Sequence, residues 1–171
     1  ALVVAVGVCV LIAVKDAPAR TAEAGPDAEA REVHDTDSVA VPVRAYQRIA
    51  SLSPNADAIL LETVSASRVV GVSGTLREGL GPQRFESLHV IEEATVEQVL
   101  ALDPDLVIVG ALSFSGQVQQ LRDANIAVFR MGEMRGVRSF VQDARDIGRL
   151  VGEGARGEEV GARLERRMRM V

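Results

Sequence analysis

The sequence predicts an α/β fold, a parallel sheet with helices on both faces, and three observations carry that expectation. Val69–Val72 and Leu106–Val109 are short, continuous, β-branched apolar runs, the pattern of strands buried on both faces. Segments with apolar residues at helical spacing alternate with such runs. Turn and start signals fall at the joints, as at Ser53-Pro54, Pro104 and Gly110.

The most informative stretch is TVEQVLALDPDLVIVG, Thr95 to Gly110. Thr95 followed three residues later by Gln98 is a capping-box pattern, and Val96, Val99 and Leu100 repeat at helical spacing behind it. Pro104 forbids continuation of that helix, and the LVIV strand follows at once.

Taken from the N-terminus, residues 1–14 form an unbroken apolar block, read as a signal-peptide h-region or a membrane anchor. Ala17-Pro18-Ala19 offers small residues for a cleavage site. Cys9 is the only cysteine and lies in this block, so no intrachain disulfide is possible, and its expected role is packing. Residues 15–40 are rich in Ala, Asp, Glu and Pro, which predicts a disordered linker containing a solvated His34. Residues 41–154 are expected to form the folded lobe.

Within it, Arg48–Leu52 reads as a strand, and Ser53-Pro54 as an N-cap with a first-turn proline before the helix carrying Ile59, Leu60 and Val64. Val69–Val72 is the second strand. Thr75–Glu93, with Gly79, Gly81 and Pro82, reads as a long surface loop. Phe114, Val118 and Leu121 mark a helix ending near Asn125, and Ile126–Phe129 a further strand. Ser139 with Gln142 repeats the capping-box pattern, for a helix whose buried face is Phe140, Ala144, Ile147 and Val151. Gly152 and Gly154 break it. Residues 155–171 carry Val160, Leu164, Met168 and Val171 at helical spacing, an apolar stripe expected to lack cover.

Composition narrows function by exclusion. A net charge of −5 with scattered basic residues gives no nucleic-acid footprint. Lys15 is the only lysine, so the folded part has no P-loop or Schiff-base lysine. Gly71-Val72-Ser73-Gly74 misses the spacing of a nucleophile elbow and of a dinucleotide fingerprint. His89 has no second histidine in the folded part with which to build a metal site or a triad, and it reads as a surface residue. Hence no catalytic residues, no metal site and no cofactor are expected.

In parallel sheets of this kind ligands bind beyond the carboxyl ends of the strands. The candidate loops are Ser53–Asn55, Ser73–Thr75, Gly110–Phe114 and Met131–Gly136. The ligand-binding candidates within them are Ser53, Pro54, Asn55, Ser73, Gly74, Thr75, Phe114 and Met131. Aromatics make up only 3% of the chain, so Phe114 is the one stacking surface these loops offer.

RIASLSP, then RVVGVS, VEQVLALDPDLVIVG, IAVFRM and the DIGRLVG helix together resemble the N-terminal lobe of class III periplasmic binding proteins, the cobalamin and iron-siderophore class of ABC importers. The resemblance covers Arg48 to Val171. It implies a Rossmann-like lobe ending in the start of a long interdomain helix at 155–171, with a second lobe missing from this sequence and the ligand held between lobes. It also implies a non-enzymatic, periplasmic or extracytoplasmic protein that captures a metal-chelate nutrient such as a corrinoid, ferric siderophore or haem. Delivery would be to an ABC permease and ATPase complex, with Glu97 as the docking acid and membrane contact only through the N-terminal segment. The chain departs from the family where Asp57-Ala58 replaces the usual Thr-Glu, and at Val64-Ser65 in place of a glycine. Two other readings stay open at this level: a membrane-tethered ligand-sensing domain, and a cofactor-dependent enzyme on a similar sheet.

Overall fold

A computed structural model describes residues 31–73, 75, 86 and 88–168. The expected export segment, Cys9, Lys15, most of the expected linker and Gly74 lie outside the described residues. Six strands are present among them: β1 (Glu32–His34), β2 (Ala40–Pro42), β3 (Ile49–Leu52), β4 (Val69–Gly71), β5 (Leu106–Val109) and β6 (Ala127–Arg130). The helices are α1 (Pro54–Thr63), α2 (Val96–Ala101), α3 (Ser115–Asp123), α4 (Val137–Leu150) and α5 (Gly154–Met168), with a 3₁₀ turn at Ala66–Arg68.

The main sheet is parallel throughout, in the order β4-β3-β5-β6. Alternation of side chains along each strand divides the core in two. Ile49, Leu106, Ile108 and Phe129 point to one face, where they meet Ile59 and Leu60 of α1, Ala144, Ile147 and Leu150 of α4 and Val160 of α5. Ala50, Val107, Val109 and Val128 point to the other, against Val99 of α2 and Val118 and Leu121 of α3. Every side chain of β5 is fully buried because it faces helices on both sides. The unbroken LVIV run therefore reports its own position at the centre of the sheet.

The motif DPD braces the end at which the strands begin. Asp103 sits at a φ of 47°, which turns the chain out of α2. The Asp105 carboxylate accepts the backbone N–H groups of Gln47 at 2.8 Å and Arg48 at 2.9 Å, just before β3. Arg48 returns the contact, its guanidinium donating to the carbonyls of Asp103 and Leu102 at 2.6 Å each. Arg68, before β4, donates to the carbonyl of Tyr46 at 2.6 Å, to that of Val151 at 2.7 Å and to Glu153 Oε1 at 3.0 Å.

Several expectations need correction. Residues 31–40 are not a solvated tether: β1 and β2 form an antiparallel hairpin whose Val33 and Val41 are buried. Composition treats the acids of this segment as solvated, whereas Asp35 is buried and bonded to Arg122 at 2.6 Å. The stretch after Ser73 is more than a surface loop, since Val90 bridges Val72 in parallel and Leu88 and Ile91 are buried. Ser139 is not an N-cap. Gly136, at a φ of 102°, precedes α4, and the Ser139 hydroxyl donates to its carbonyl from within the first turn. Ser53 holds the N-cap position of α1 with Pro54 behind it, but its side chain makes no capping bond. Thr95 does cap α2, accepting from Gln98 N, while Gln98 reaches Glu93 N instead of closing the reciprocal bond.

The described part of the stripe on α5 is covered by the lobe itself, the Met168 side chain and Val171 lying outside the described residues. Val160 is buried and Leu164 half-buried against the cluster built by α1 and α4. Two glycines make that approach possible, because a Cβ at Gly148 would lie 2.6 Å from the Cα of Gly157.

Candidate functional site

The order of the strands creates a crevice before any side chain is considered. From β3 the chain leaves into α1, which packs on one face of the sheet, and from β5 into α3, which packs on the other. The two strands are neighbours paired to their last residues, so the segments that leave their carboxyl ends diverge and make an opening at the switch point.

That opening is a cleft of about 630 Å³ lined by Leu52 to Asn55, Gly110 to Phe114 and Met131 to Met134. Ser53, Pro54, Asn55, Phe114 and Met131, named from sequence alone, therefore meet along one surface. Gly110 lies on its floor, where an added Cβ would make ordinary van der Waals contact with Ser53. Leu112 is 93% exposed, Phe114 83% and Met134 55%, while Met131 is buried beneath them. Large apolar side chains left in water at the rim of a concave surface mark a binding face. Glu133 is the single ionisable residue in the lining.

Ser73 and Thr75 do not join this surface. The Ser73 hydroxyl donates to Asp57 Oδ2 at 2.5 Å and its N–H approaches Asp57 Oδ1 at 3.3 Å, tying the end of β4 to the first turn of α1. Thr75 lies 3.4 Å from that hydroxyl. Asp57 is fully buried, so the acid that departs from the family pattern serves the interior of this lobe. His89 is exposed, and among the described residues no group of three or more His, Cys, Asp or Glu side chains could hold a metal ion. Glu97 is exposed in the first turn of α2. No described helix is long and apolar enough to cross a membrane.

Sequence reading placed Leu112 and Met134 within candidate loops without singling them out, and it missed the support beneath the loop. Arg130, the last residue of β6, donates to the carbonyl of Ser113 and to Ser115 Oγ at 3.4 Å, and pairs with Asp37 at 3.2 Å. The available signal was an arginine closing an otherwise apolar strand.

Comparison with known proteins agrees with this architecture. The haem binding protein HmuT superimposes with a TM-score of 0.66 at 24% identity, over 77% of this chain and 44% of that one. The molybdate periplasmic binding protein MolA of Haemophilus influenzae, solved with molybdate bound, gives 0.63 at 20% identity, over 77% and 49%. The vitamin B12 binding protein BtuF of Vibrio cholerae gives 0.62 at 20% identity, over 74% and 49%. The chain thus spans less than half the length of these structures, and the likeness concerns the fold. No curated protein matches it. The family model for periplasmic binding proteins matches residues 49–171, from the first strand of the parallel sheet through α5, and the chain belongs to that family.

Proposed function

We propose that this chain supplies one lobe of an extracytoplasmic substrate-binding protein of an ABC importer, and that its cleft takes a metal-chelate nutrient: haem, a corrinoid or a ferric siderophore. The observation that carries the choice of ligand is the lining of the cleft. Leu52, Pro54, Ala111, Leu112, Phe114, Met131 and Met134 offer an apolar floor and rim, and among the described residues the lining contains no arginine, lysine or histidine. A small oxyanion such as molybdate needs convergent donors or cations. A broad, flat chelate gains instead from apolar area removed from water, at about 25 cal/mol per Å². The ligand's metal belongs to the cargo, and the lobe contributes shape and apolar contact through Phe114 and Met131, with Ser53 and Asn55 as polar neighbours. Titration of the full-length protein with hemin, cyanocobalamin, ferrichrome and molybdate tests this. Saturable binding of one of the first three is expected; binding of molybdate alone would overturn the reading.

Delivery to an ABC permease and ATPase complex is the second half of the proposal, with Glu97 as the docking acid. Its exposure in the first turn of α2 supports the assignment. A carboxylate in a first helical turn is also locally favourable, by about 0.3–1 kcal/mol. Docking predicts more: Glu97→Gln weakens association with the permease by about 2–5 kcal/mol and leaves ligand affinity unchanged. Equal association of both proteins with the permease at low salt would remove Glu97 from the interface.

A further inference from the structure

A chain of charges runs from the N-terminal hairpin to the rim of the cleft. It begins at Asp35, whose side chain is fully buried. One carboxylate oxygen accepts the N–H groups of Asp37 and Val39 at 2.9 Å each, and the other accepts Arg122 Nη2 at 2.6 Å. These bonds fix the tip of the hairpin, where Ser38 adopts a φ of 61°.

Fixing the tip places Asp37 between two guanidinium groups. Arg130 Nη1 lies 3.3 and 3.2 Å from its two oxygens, and Arg122 Nη1 lies 3.9 Å from one of them. The backbone helps, since Thr36 N donates to the carbonyl of Arg130 at 3.1 Å. Arg130 is only 11% exposed; its Nε has no hydrogen-bond partner among the described residues, and its two Nη groups also reach the loop after β5. Nη2 donates to the carbonyl of Ser113 and Nη1 to Ser115 Oγ. Those two residues flank Phe114, the aromatic of the cleft.

We propose that Asp37 and Arg130 are positioning residues for the ligand cleft: Asp37 holds the Arg130 guanidinium, and Arg130 holds the Ser113–Ser115 loop so that Leu112 and Phe114 stand preformed at the rim. The proposal rests on the reading of the cleft as the ligand site. Its physical basis is that a planar guanidinium grips several acceptors only while its orientation is set. Without the Asp37 charge, Arg122 still has Asp35, but the part-buried Arg130 guanidinium loses the carboxylate that sets its orientation, and its grip on the loop loosens. The loop then samples more conformations, and ordering it on binding weakens affinity.

The experiment compares Asp37→Asn and Asp37→Glu with the wild type in the full-length protein, by amide hydrogen exchange and by hemin titration. Exchange in peptides covering residues 111–115 is expected to accelerate about tenfold in Asp37→Asn, with β5 unchanged, because the loop opens locally and not with the sheet. Hemin affinity should fall by about tenfold, and Asp37→Glu should restore both. Unchanged exchange in 111–115 overturns the proposal, and so does acceleration that spreads equally through β5 and β6, which would make the pair a plain stabiliser of the sheet edge. Failure of the wild type to bind hemin would count against the ligand reading alone, and the exchange comparison would still decide the relay.

Discussion

The two ends of the parallel sheet are built on opposite plans. Where the strands begin, charged side chains are spent on backbone groups: Asp105 on two N–H groups, Arg48 on two carbonyls, Arg68 on two more. Where they end, apolar side chains are spent on nothing, and Leu112, Phe114 and Met134 stand in water. The difference separates stability from function. A buried or half-buried charge satisfied by main chain fixes a joint, whereas exposed apolar surface is a cost to the free lobe that only a partner or ligand repays. The motif that dominates the sequence, ALDPDLVIV, belongs to the first end, so the most legible stretch is scaffold and the candidate cleft lies at the far side of the same strand.

The comparison can be broken most forcefully at Arg68, whose side chain is 12% exposed. Arg68→Ala leaves the carbonyls of Tyr46 and Val151 without their donor beside the start of β4. An unsatisfied buried acceptor costs about 1–3 kcal/mol, so a loss of about 3 kcal/mol is expected in urea unfolding. Hemin binding by the protein that remains folded should be unchanged. A variant of wild-type stability would show that this end of the sheet is not held by its charges.

At the other end the expectation reverses. Phe114→Ala removes a side chain that is 83% exposed, and surface changes of this kind alter stability by about 0.5 kcal/mol or less. Covering that ring with ligand is worth about 1.5–3 kcal/mol, so hemin affinity should fall between about tenfold and a hundredfold. Loss of stability with intact affinity would place Phe114 in the fold and not in the site.

Legibility in the sequence followed the same division. Strand identity, the parallel sheet and both helical layers could be read because each rests on local pattern: β-branched runs, 3.6-residue periodicity and proline at joints. The pairing of Ser73 with Asp57 could not be read, because the two lie 16 residues apart and the burial of Asp57 has no local signature. The hairpin was misjudged for a related reason. Asp35 and Asp37 look like solvated acids until Arg122 and Arg130 are brought to them, from 87 and 93 residues away. Ser139 shows the converse error, a correct local pattern displaced by the stronger turn preference of Gly136. Long-range charge pairing is thus the part of this lobe that periodicity cannot reveal, and it supports the cleft as well as the scaffold.

The smallest expected effect asks whether helix charges obey the rule seen at the start of the strands. Asp105 accepts two backbone N–H groups, whereas burial, and then the neighbouring carboxylate of Asp146, push the carboxyl of Asp143 on α4 up from 3.8 to about 6. Between those two values the folded state holds a proton that the unfolded chain has released. Stability therefore falls as pH rises from about 4 to about 6, and at pH 7 the ionised carboxylate carries the full penalty. Because the group is only half-buried, solvent screening reduces that penalty to about 1 kcal/mol. Asp143→Asn should accordingly stabilise the protein by about that amount at pH 7 and leave it unchanged near pH 4, the gain growing in between. Urea midpoints of both proteins across this range provide the check. A gain of equal size at pH 4 and pH 7 would mean that the amide improves α4 by some route other than removal of the charge.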